Sequence, residues 1–362
     1  MSFPVSEREQ KVLSIIETAR AKRQKFRDAQ ITMAHGAGGK ATASLIEGLL
    51  VPAFANASLD VLADAGTVSV LGGQVAMTTD SFVVNPISFP GGTIGELAVN
   101  GTLNDVAMAG ARPVALSLSL ILEEGLSADI LKEQVAAIAT AADEAGVPIV
   151  AGDTKVVERG ACDQMYICTT AIGVIDDRAS LSPAFLRPGD KILVSGRIGD
   201  HGTAIMLARG EFELDADITS DTRCLWPMVD KLLDQAGGSL RCLRDATRGG
   251  VASVLNELAR ASRVAMVINE AAVPVHPSVA GAAEILGIDP MHVANEGKLV
   301  AIVAPDAAPA ALAALQSMPG GEDAAEIGEC KTEPEGMVLM ATAFGGKRVM
   351  DQLVGDPLPR IC

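Results

Sequence analysis

The stretch Val114-Ala115-Leu116-Ser117-Leu118-Ser119-Leu120-Ile121-Leu122 decides the fold, because no other apolar run of the chain is longer. It is about half of the roughly 20 residues that a membrane span needs and it ends in Glu123-Glu124, so it predicts a strand. A helical stretch over 128–145 follows, and the strand-like run Ile149-Val150-Ala151 comes next. A strand, a helix and a strand in succession are typical of an α/β or α+β domain.

The same alternation continues on both sides of this unit. Helical stretches at 41–50 and 95–109 and strand-like runs at 75–79 and 165–174 surround it. We therefore predict a first domain over residues 31–180.

Two turn-rich segments, Ser180-Leu181-Ser182-Pro183 and Arg187-Pro188-Gly189-Asp190, mark a domain boundary. Beyond them, strand-like runs alternate with helical stretches again, the former at 191–195, 265–268 and 299–303, the latter at 202–208, 250–261 and 307–315. The pattern predicts a second, α+β domain over residues 181–345.

The two ends of the chain lie outside these domains. Residues 1–30 contain a charge-rich amphipathic stretch that predicts an N-terminal helical extension, suited to docking or dimerisation. Residues 346–362 predict an extended, mobile tail, because Pro357 and Pro359 disfavour helix. Its last residue, Cys362, is either presented to a site on the body of the protein or the incidental thiol of a frayed end.

Composition excludes several classes of function. The net charge of -16 argues against a nucleic-acid surface, which needs clustered Lys and Arg. The charged first 30 residues do not resemble a signal peptide, so we expect a cytoplasmic protein. The 6 cysteines form no Cys-x-x-Cys pair and have no His at zinc-ligand spacing, so we expect reduced thiols.

Polar residues with phosphate-binding character precede two predicted helices. In His35-Gly36-Ala37-Gly38-Gly39-Lys40, glycines can bring backbone N–H groups close to an anion, and Lys40 adds charge. Arg244-Asp245-Ala246-Thr247-Arg248-Gly249-Gly250 has the same character. The alternative for the first segment is a plain helix-entry turn.

Acidic side chains at element ends suggest a magnesium–nucleotide site. Asp80 and Asp153 each follow a strand-like run, and Asp105 lies in a polar segment, whereas Mg²⁺ takes one or two carboxylates together with phosphate oxygens. Helix capping and turn formation explain such residues equally well. Lys155 could neutralise a phosphate, and Glu296 is either a general base or a solvated turn residue.

Taken together, these segments resemble the HypE family of hydrogenase maturation factors from residue 31 to the end. The segments that carry the resemblance are His35–Lys40, Thr79-Asp80-Ser81, Asn104-Asp105-Val106-Ala107, Gly152-Asp153-Thr154-Lys155-Val156-Val157, Gly199-Asp200-His201-Gly202, Asp245–Gly250, Asn295-Glu296-Gly297-Lys298 and the terminal Pro359-Arg360-Ile361-Cys362. The family belongs to a superfamily with aminoimidazole ribonucleotide synthetase, selenophosphate synthetase and thiamine-monophosphate kinase. The resemblance implies a PurM-like N-terminal domain that dimerises through its β-sheet and a C-terminal α+β domain across an ATP cleft.

The resemblance also implies a reaction and its residues. With ATP and Mg²⁺, the family dehydrates an S-carboxamide on its own C-terminal cysteine to a thiocyanate, the source of the iron cyanide ligands of [NiFe]-hydrogenase. The carbamoyltransferase HypF supplies the carbamoyl group and the HypC–HypD complex accepts the cyanide. The implied metal ligands are Asp80, Asp105 and Asp153; the nucleotide-binding residues are Gly36, Gly38, Gly39, Lys40, Asn104, Asp153, Thr154, Asp245 and Thr247; the catalytic residues are Lys155, Glu296 and Cys362.

Two other classes remain open at this point. Another ATP-dependent kinase or synthetase of the same superfamily would keep the acidic and glycine-rich segments but has no use for a terminal cysteine. A metal-delivery scaffold would use the thiol but leaves the nucleotide segments unexplained, and a lone cysteine is a thin metal site. ATP turnover separates the two.

Overall fold

The structure is a computed structural model that describes residues 26–54, 56, 59, 62–70, 72–210, 217–342, 345–353 and 360–362. The predicted N-terminal helical extension lies outside the described residues up to residue 25, and residues 26–30 are not helical. In the described parts of the chain, no helix is long and apolar enough to cross a membrane. The two-domain α/β and α+β fold class is confirmed.

The first domain is built on a five-stranded sheet. Its strands are β1 Gly66–Val70, β2 Gly73–Phe82, β5 Ala111–Glu123, β6 Ile149–Val157 and β7 Met165–Ile175, with a small hairpin of β3 Ser88–Phe89 and β4 Gly92–Thr93. They lie in the order β1-β2-β7-β5-β6, and only β5 and β6 are parallel. The parallel pair is the strand, helix and strand that the sequence predicts.

Helices cover one face of this sheet. The helical elements of the domain are α1 Lys40–Leu45, α2 Val51–Phe54, α3 Ile94–Met108 and α4 Ala128–Glu144, with short turns Met33–Gly36 and Ile46–Leu50. The hydroxyl of Thr93 caps α3 by accepting from Glu96 N at 3.3 Å. Almost every residue of α3 is buried, because the helix lies between the sheet and the second domain. By contrast, α4 is amphipathic and buries one face only.

The other face of the sheet, which we call the outer face, carries apolar side chains that no helix of the described residues covers. Val68, Val70, Met77, Ile172 and Val174 are each 40–54% exposed. The register places them together, because Met77 is paired with Ile172 and laterally paired residues share a face. An apolar patch of this kind on a sheet is typical of an interaction surface.

The second domain is built on a seven-stranded mixed sheet in the order β14-β13-β10-β12-β8-β11-β9. The strands are β8 Lys191–Val194, β9 Leu240–Asp245, β10 Ala265–Asn269, β11 Leu299–Val303, β12 Ala325–Lys331, β13 Val338–Ala341 and β14 Lys347–Met350. The helices are α5 Asp200–Ala208, α6 Trp226–Ala236, α7 Gly250–Ser262, α8 Pro277–Leu286 and α9 Ala308–Gln316, with short 3₁₀ turns Pro183–Phe185, Gly237–Ser239, Glu270–Ala272 and Pro290–His292.

Strand β14 corrects the predicted start of the tail. Residues 347–350 lie within the stretch predicted as tail from 346 onward, but they pair antiparallel with β13. The chain then stays docked, since Gln352 is buried and accepts from Arg260 Nη2 at 2.7 Å. A tail that starts after Leu353 has nine residues and can reach at most about 30 Å.

Candidate active site

Two of the predicted metal ligands come together between the first sheet and α3. Asp80 lies within β2, not after it, and Asp105 lies in the last turns of α3, not at a helix start. Asp80 is paired in register with the fully buried Thr169, so its side chain points to the helix-covered face. There it faces Asp105, whose pKa its charge raises and which accepts a hydrogen bond from Thr78 Oγ1 at 2.8 Å.

Two further carboxylates face this pair from other elements. Burial and the charge of Asp80 raise the pKa of Asp105 well above its ordinary value, and Asp245 at the end of β9 and Asp64 before β1 raise it further. Burial, followed by the charges of Asp64 and Asp80, likewise raises the pKa of Asp245 well above its ordinary value. Mutual repulsion of this kind marks a cluster that favours added positive charge.

Two arginines supply part of that charge. Arg244 of β9 pairs with Asp64 and donates to the Leu62 carbonyl at 2.7 Å. Arg248 is solvent-exposed at its position before α7, yet its pKa is raised, first by the charge of Cys362 and then by those of Asp80 and Glu296. Arg248 is therefore the cation that faces both the carboxylates and the end of the chain.

The glycine-rich segment packs against the start of α7. Gly38 has φ +73°, and a Cβ there would lie 2.8 Å from the Arg248 carbonyl oxygen, so this close approach requires glycine. Ser253 Oγ donates to the Gly38 carbonyl at 3.2 Å. One cavity is lined by Gly36, Gly39, Arg248 and Cys362 among others. The predicted phosphate loop and the terminal cysteine thus meet at one place.

The side chain predicted to assist that loop is already paired. Lys40 Nζ donates to Asp351 Oδ2 at 2.8 Å, and Lys40 N donates to the Leu353 carbonyl at 3.1 Å. Because the loop and the chain after β14 hold each other, Lys40 would have to leave Asp351 to neutralise a phosphate.

Glu296 is the most enclosed carboxylate of the site. It is 3% exposed, and burial, followed by the charges of Asp245 and Asp221, raises its pKa well above the ordinary value. Its main chain is fixed, since Glu296 N donates to Asp221 Oδ1 at 2.9 Å and Asp221 is itself held by Lys298 Nζ at 3.0 Å. Among the described residues, Glu296 Oε1 has no hydrogen-bond partner. A buried carboxyl with a raised pKa and one oxygen without a hydrogen-bond partner has the properties of an acid–base residue.

Three predicted site residues lie in β6, away from the carboxylate cluster. Asp153, Thr154 and Lys155 belong to β6, not to a loop after it. Across the sheet, the residue of β6 that lies in the same row as Asp80 is Gly152, and Asp153 is the next residue along the strand. Side chains of consecutive strand residues point to opposite faces, so Asp153 points to the outer face and away from Asp105. Its partner there is Lys155, at 2.6 Å, whose hydrogen bond lowers the pKa of Asp153. Within one chain, the predicted triad of metal ligands is therefore not assembled.

Asn104 has a different role from the predicted one. Its amide nitrogen donates to the carbonyls of Arg223 at 3.0 Å and Glu296 at 3.3 Å, and its oxygen accepts from Leu225 N at 2.7 Å. Because these partners belong to the second domain, Asn104 ties α3 to that domain and does not present its amide to a nucleotide. Thr247 is half-buried beside Arg248 and stays a predicted nucleotide contact.

The cluster fits a hard divalent cation in its donor chemistry. Asp64, Asp80, Asp105 and Asp245 are oxygen donors with raised pKa values, and Asp64 Oδ2 is a buried atom without a hydrogen-bond partner in the described residues. Over the same residues, no three His, Cys, Asp or Glu side chains are gathered as a ready metal site. Additional oxygen ligands would have to complete it.

Sequence reasoning missed several of these residues. Arg248 is predicted only as part of the anion-binding segment Arg244–Gly250, and Asp64 and Asp221 lie in segments without a pattern. Burial alternates over 76–82 in the structure and separates the face of Asp80 from that of Thr79, but the sequence of this stretch, Ala76-Met77-Thr78-Thr79-Asp80-Ser81-Phe82, has no matching alternation of apolar and polar residues.

Two domain families match the chain. The N-terminal domain of AIR synthase related proteins matches residues 62–175, and their C-terminal domain matches residues 187–340. A thiamine monophosphate kinase from Aquifex aeolicus superposes with a TM-score of 0.61 at 18% identity, over 84% of this chain and 96% of that one, which indicates a common fold.

Similarity is much higher to one group of proteins. Carbamoyl dehydratase HypE of Bradyrhizobium diazoefficiens is 49% identical over 337 residues, 93% of this chain and 97% of that protein. A solved HypE–HypF complex has a TM-score of 0.81 at 45% identity, over 86% of this chain and 100% of that one. A solved HypE in complex with ATP has a TM-score of 0.77 at 48% identity, over 92% and 100%. Identity at this level across both AIR synthase related domains, in a chain whose glycine loop and terminal cysteine share one cavity, makes the chain a member of the HypE family.

Proposed function

We propose that this chain is an ATP-dependent carbamoyl dehydratase of [NiFe]-hydrogenase maturation, which converts the S-carboxamide of its own Cys362 into a thiocyanate. The observation that carries the proposal is the position of Cys362, 9% exposed, in the cavity lined by Gly36, Gly39 and Arg248. A related kinase or a metal-delivery scaffold is not favoured, because the relatives at 46–50% identity are carbamoyl dehydratases.

The chemistry explains why ATP and a thiol must meet. The carboxamide oxygen is a poor leaving group, and transfer of the ATP γ-phosphoryl group turns its loss into loss of phosphate. Two protons leave the nitrogen, the C–O bond breaks and a C≡N bond forms, so that the thiol sulfur keeps the carbon. The site must also exclude water, which would hydrolyse the activated group.

The residues divide this work by charge. Asp80 and Asp105, with Asp245 and Asp64, would hold Mg²⁺, which supplies charge neutralisation for the phosphates. The glycine loop and Arg248 would bind phosphate oxygens, since Arg248 lines the cavity with Cys362 and the charges of Cys362, Asp80 and Glu296 raise its pKa. Glu296 would accept a proton from the carboxamide nitrogen, for which its raised pKa is suited.

Partners follow from the relatives. HypF is the expected carbamoyl donor, because a solved relative is a HypE–HypF complex. The HypC–HypD complex as cyanide acceptor and a cytoplasmic location stay predictions. Since Cys362 must meet partners, the docked tail has to leave the cavity at some step of the cycle.

We also propose a homodimer in which the outer faces of two sheets meet. The exposed apolar patch around Met77 and Ile172 supports it, and so does the position of Asp153 and Lys155 on the same face. In one chain Lys155 lies on the face of the sheet opposite to the carboxylate cluster, so its predicted phosphate role would require the partner's Lys155 to reach the cleft past the edge of the sheet. The predicted phosphate role of Lys155 is thus assigned to the partner chain.

Mixing two inactive variants tests this arrangement. Lys155→Ala chains and Cys362→Ala chains should each form no thiocyanate alone, whereas mixed dimers contain one complete site, about a quarter of all sites at equal ratio. Mass spectrometry should then find thiocyanate on Cys362 of Lys155→Ala chains only after mixing. Ile172→Glu should abolish both the dimer and this rescue, while Val135→Glu, at an exposed valine on α4, should abolish neither. No rescue by mixing would contradict the assignment.

Removing the charge of Asp105 should stabilise the folded protein and reduce its activity. Asp105→Asn should raise the free energy of unfolding by about 1–2 kcal/mol at neutral pH without magnesium, because the carboxylate is repelled by Asp80, Asp245 and Asp64. A carboxyl with a raised pKa destabilises the folded state only above its unfolded pKa of about 4, so the gain should shrink as pH falls toward that value. Urea unfolding at about pH 8 and pH 5.5 measures it.

The same variant should lose magnesium-dependent ATP turnover by at least about 100-fold. Asp129→Asn, at an aspartate whose side chain is 90% exposed, is the control and should change neither quantity. An Asp105→Asn protein that is less stable but still active would contradict the assignment of the cluster.

A further inference from the structure

The last three residues of the chain are paired with the segment that follows β2. Val83 N donates to a main-chain carboxylate oxygen of Cys362 at 3.1 Å, and Asn85 N donates to the Arg360 carbonyl at 3.4 Å. Arg360 Nε donates back to the Val83 carbonyl at 3.1 Å. Both main-chain bonds run from Val83 and Asn85 to the tail, and Arg360 has φ +57°, so the tail docks on the first domain without forming a strand.

The second domain supplies two side chains to the same three residues. His201 Nε2 donates to the Ile361 carbonyl at 3.0 Å, and Arg209 Nη2 donates to the Arg360 carbonyl at 2.7 Å. Together with the bonds from the first domain, every carbonyl of the terminal tripeptide has a donor. Arg209 Nε also donates to the Asn85 carbonyl at 2.8 Å, so this arginine holds residues 83–85 as well as the tail. We call residues 83–85 and the side chains that contact the tail the receptor.

The surroundings of His201 fix its ring so that Nε2 donates to the tail. Its side chain is fully buried, and burial lowers its pKa, so the ring is neutral. A carbonyl can only accept, so the proton lies on Nε2, and Nδ1 accepts from Ser220 Oγ at 2.8 Å. The edge of the ring packs on Phe89 with centroids 5.6 Å apart, which fixes its orientation.

The receptor also contacts side chains of the tail. Ile361 is 3% exposed and joins the core of the first domain. Arg360 pairs with Asp163 and lies over the ring of Tyr166, 5.8 Å from its centroid. The receptor therefore distinguishes the residues before the cysteine and does not merely hold any extended end.

We propose that His201 and Arg209 are positioning residues for the dehydration step, which hold the Ile361 and Arg360 carbonyls so that the carbamoylated thiol stays in the cavity beside Arg248. A terminal residue is fixed by only one peptide bond, so without these contacts the sulfur would sample many positions. The consequence for dehydration rests on the proposed function. The docking itself does not, since it needs neither ATP nor a partner.

Timed alkylation tests the docking in the full-length chain. Iodoacetamide labelling followed by peptide mass spectrometry reports each cysteine separately. In His201→Phe and Arg209→Ala, we expect Cys362 to react about tenfold faster than in the parent, the factor for loss of one buried hydrogen bond. Cys242 and Cys330 lie in the core of the second domain and should stay unlabelled, which reports an intact fold.

Two matched variants sharpen the result. His201→Gln retains an N–H donor near the position of Nε2 and should keep Cys362 labelling close to the parent rate. Arg197→Ala removes an arginine that pairs with Asp323 on the surface, and it should have no effect. A loss of fold in His201→Phe, visible as labelling of Cys242, leaves the decision to Arg209→Ala. Unchanged Cys362 labelling in Arg209→Ala overturns the proposal.

A comparison of the two half-reactions distinguishes positioning from general damage. Carbamoylation by HypF requires the undocked tail, so it should be equal or faster in Arg209→Ala, while dehydration of the carbamoylated chain should be about tenfold slower. Slowing of both steps, or of neither, contradicts a positioning role. If no chain forms thiocyanate but the labelling difference persists, the proposed function fails and the receptor stands.

Discussion

Cys362→Ser should carry no thiocyanate after incubation with HypF, carbamoyl phosphate and magnesium–ATP, whereas the parent chain should gain the mass of CN in place of one hydrogen on its C-terminal peptide. The loss should be complete, because the sulfur carries the carbon throughout the reaction and a hydroxyl at the same position is a far weaker nucleophile. Intact and peptide mass spectrometry measure the adduct.

The nucleotide site should survive this change. The tail and the glycine loop line the same cavity, but the carboxylate cluster is formed by residues of β2, α3 and β9 and by Asp64 before β1, so it does not depend on the thiol. We expect the affinity for magnesium–ATP to stay within about threefold of the parent, since no metal or phosphate contact is removed. Cys224→Ser, at a half-buried cysteine with no assigned role, is the matched control and should form thiocyanate normally.

An adduct that stops at the carboxamide in the parent chain would place the defect in the ATP site. Thiocyanate on the Cys362→Ser chain at any other cysteine would contradict the role of the tail. None of the 6 cysteines, all of which lie in described parts of the chain, forms a disulfide, so peptide mass spectrometry can report each of them.

Sequence patterns predicted the architecture well where elements are long and periodic. The helix predicted over 128–145 is α4, Ala128–Glu144, because its apolar spacing matches one buried face. The strand around Leu118 was likewise predicted, although β5 extends from Ala111 to Glu123. In both elements, local periodicity reflects the packing of a single face.

Predictions failed where a side chain's direction depends on register. Asp80 and Asp153 both follow apolar runs, so the sequence pattern predicts the same position, a strand end, for both. Both lie inside strands, but they occupy adjacent rows of the same sheet and point to opposite faces. A one-residue difference in register reverses the face of a side chain, and composition does not contain that information.

Roles that depend on tertiary contacts were also out of reach. Asn104 lies in a motif and looked like a ligand, but its amide is bonded to the main chain of the second domain. The proposed role of Arg248 depends on the charges of Cys362, Asp80 and Glu296 around it, which are distant in sequence. Such assignments require the arrangement of segments that are distant in sequence.

Glu296→Gln should slow dehydration of the carbamoylated chain by about 10²–10⁴-fold, the usual contribution of a general base. The amide has nearly the same shape, so the turn held by Asp221 and Lys298 should keep its structure. Carbamoylation of Cys362 should proceed normally, since it takes place outside the cavity, and the carboxamide should accumulate. Single-turnover mass spectrometry of the pre-carbamoylated chain measures the step.

The pH dependence identifies Glu296 as the titrating group. Burial, followed by the charges of Asp245 and Asp221, raises its pKa, so a larger share of the residue is protonated near neutral pH than for an ordinary glutamate. A base must be deprotonated to act, and the rate of dehydration in the parent should therefore rise with pH through that raised pKa. The residual rate of Glu296→Gln should not follow that rise. Glu329→Gln, at a glutamate paired with Lys331 on the surface, should keep both the parent rate and the parent profile. A Glu296→Gln chain within threefold of the parent would assign the proton transfer to another group, and the unpaired Oε1 of Glu296 would then be a consequence of burial alone.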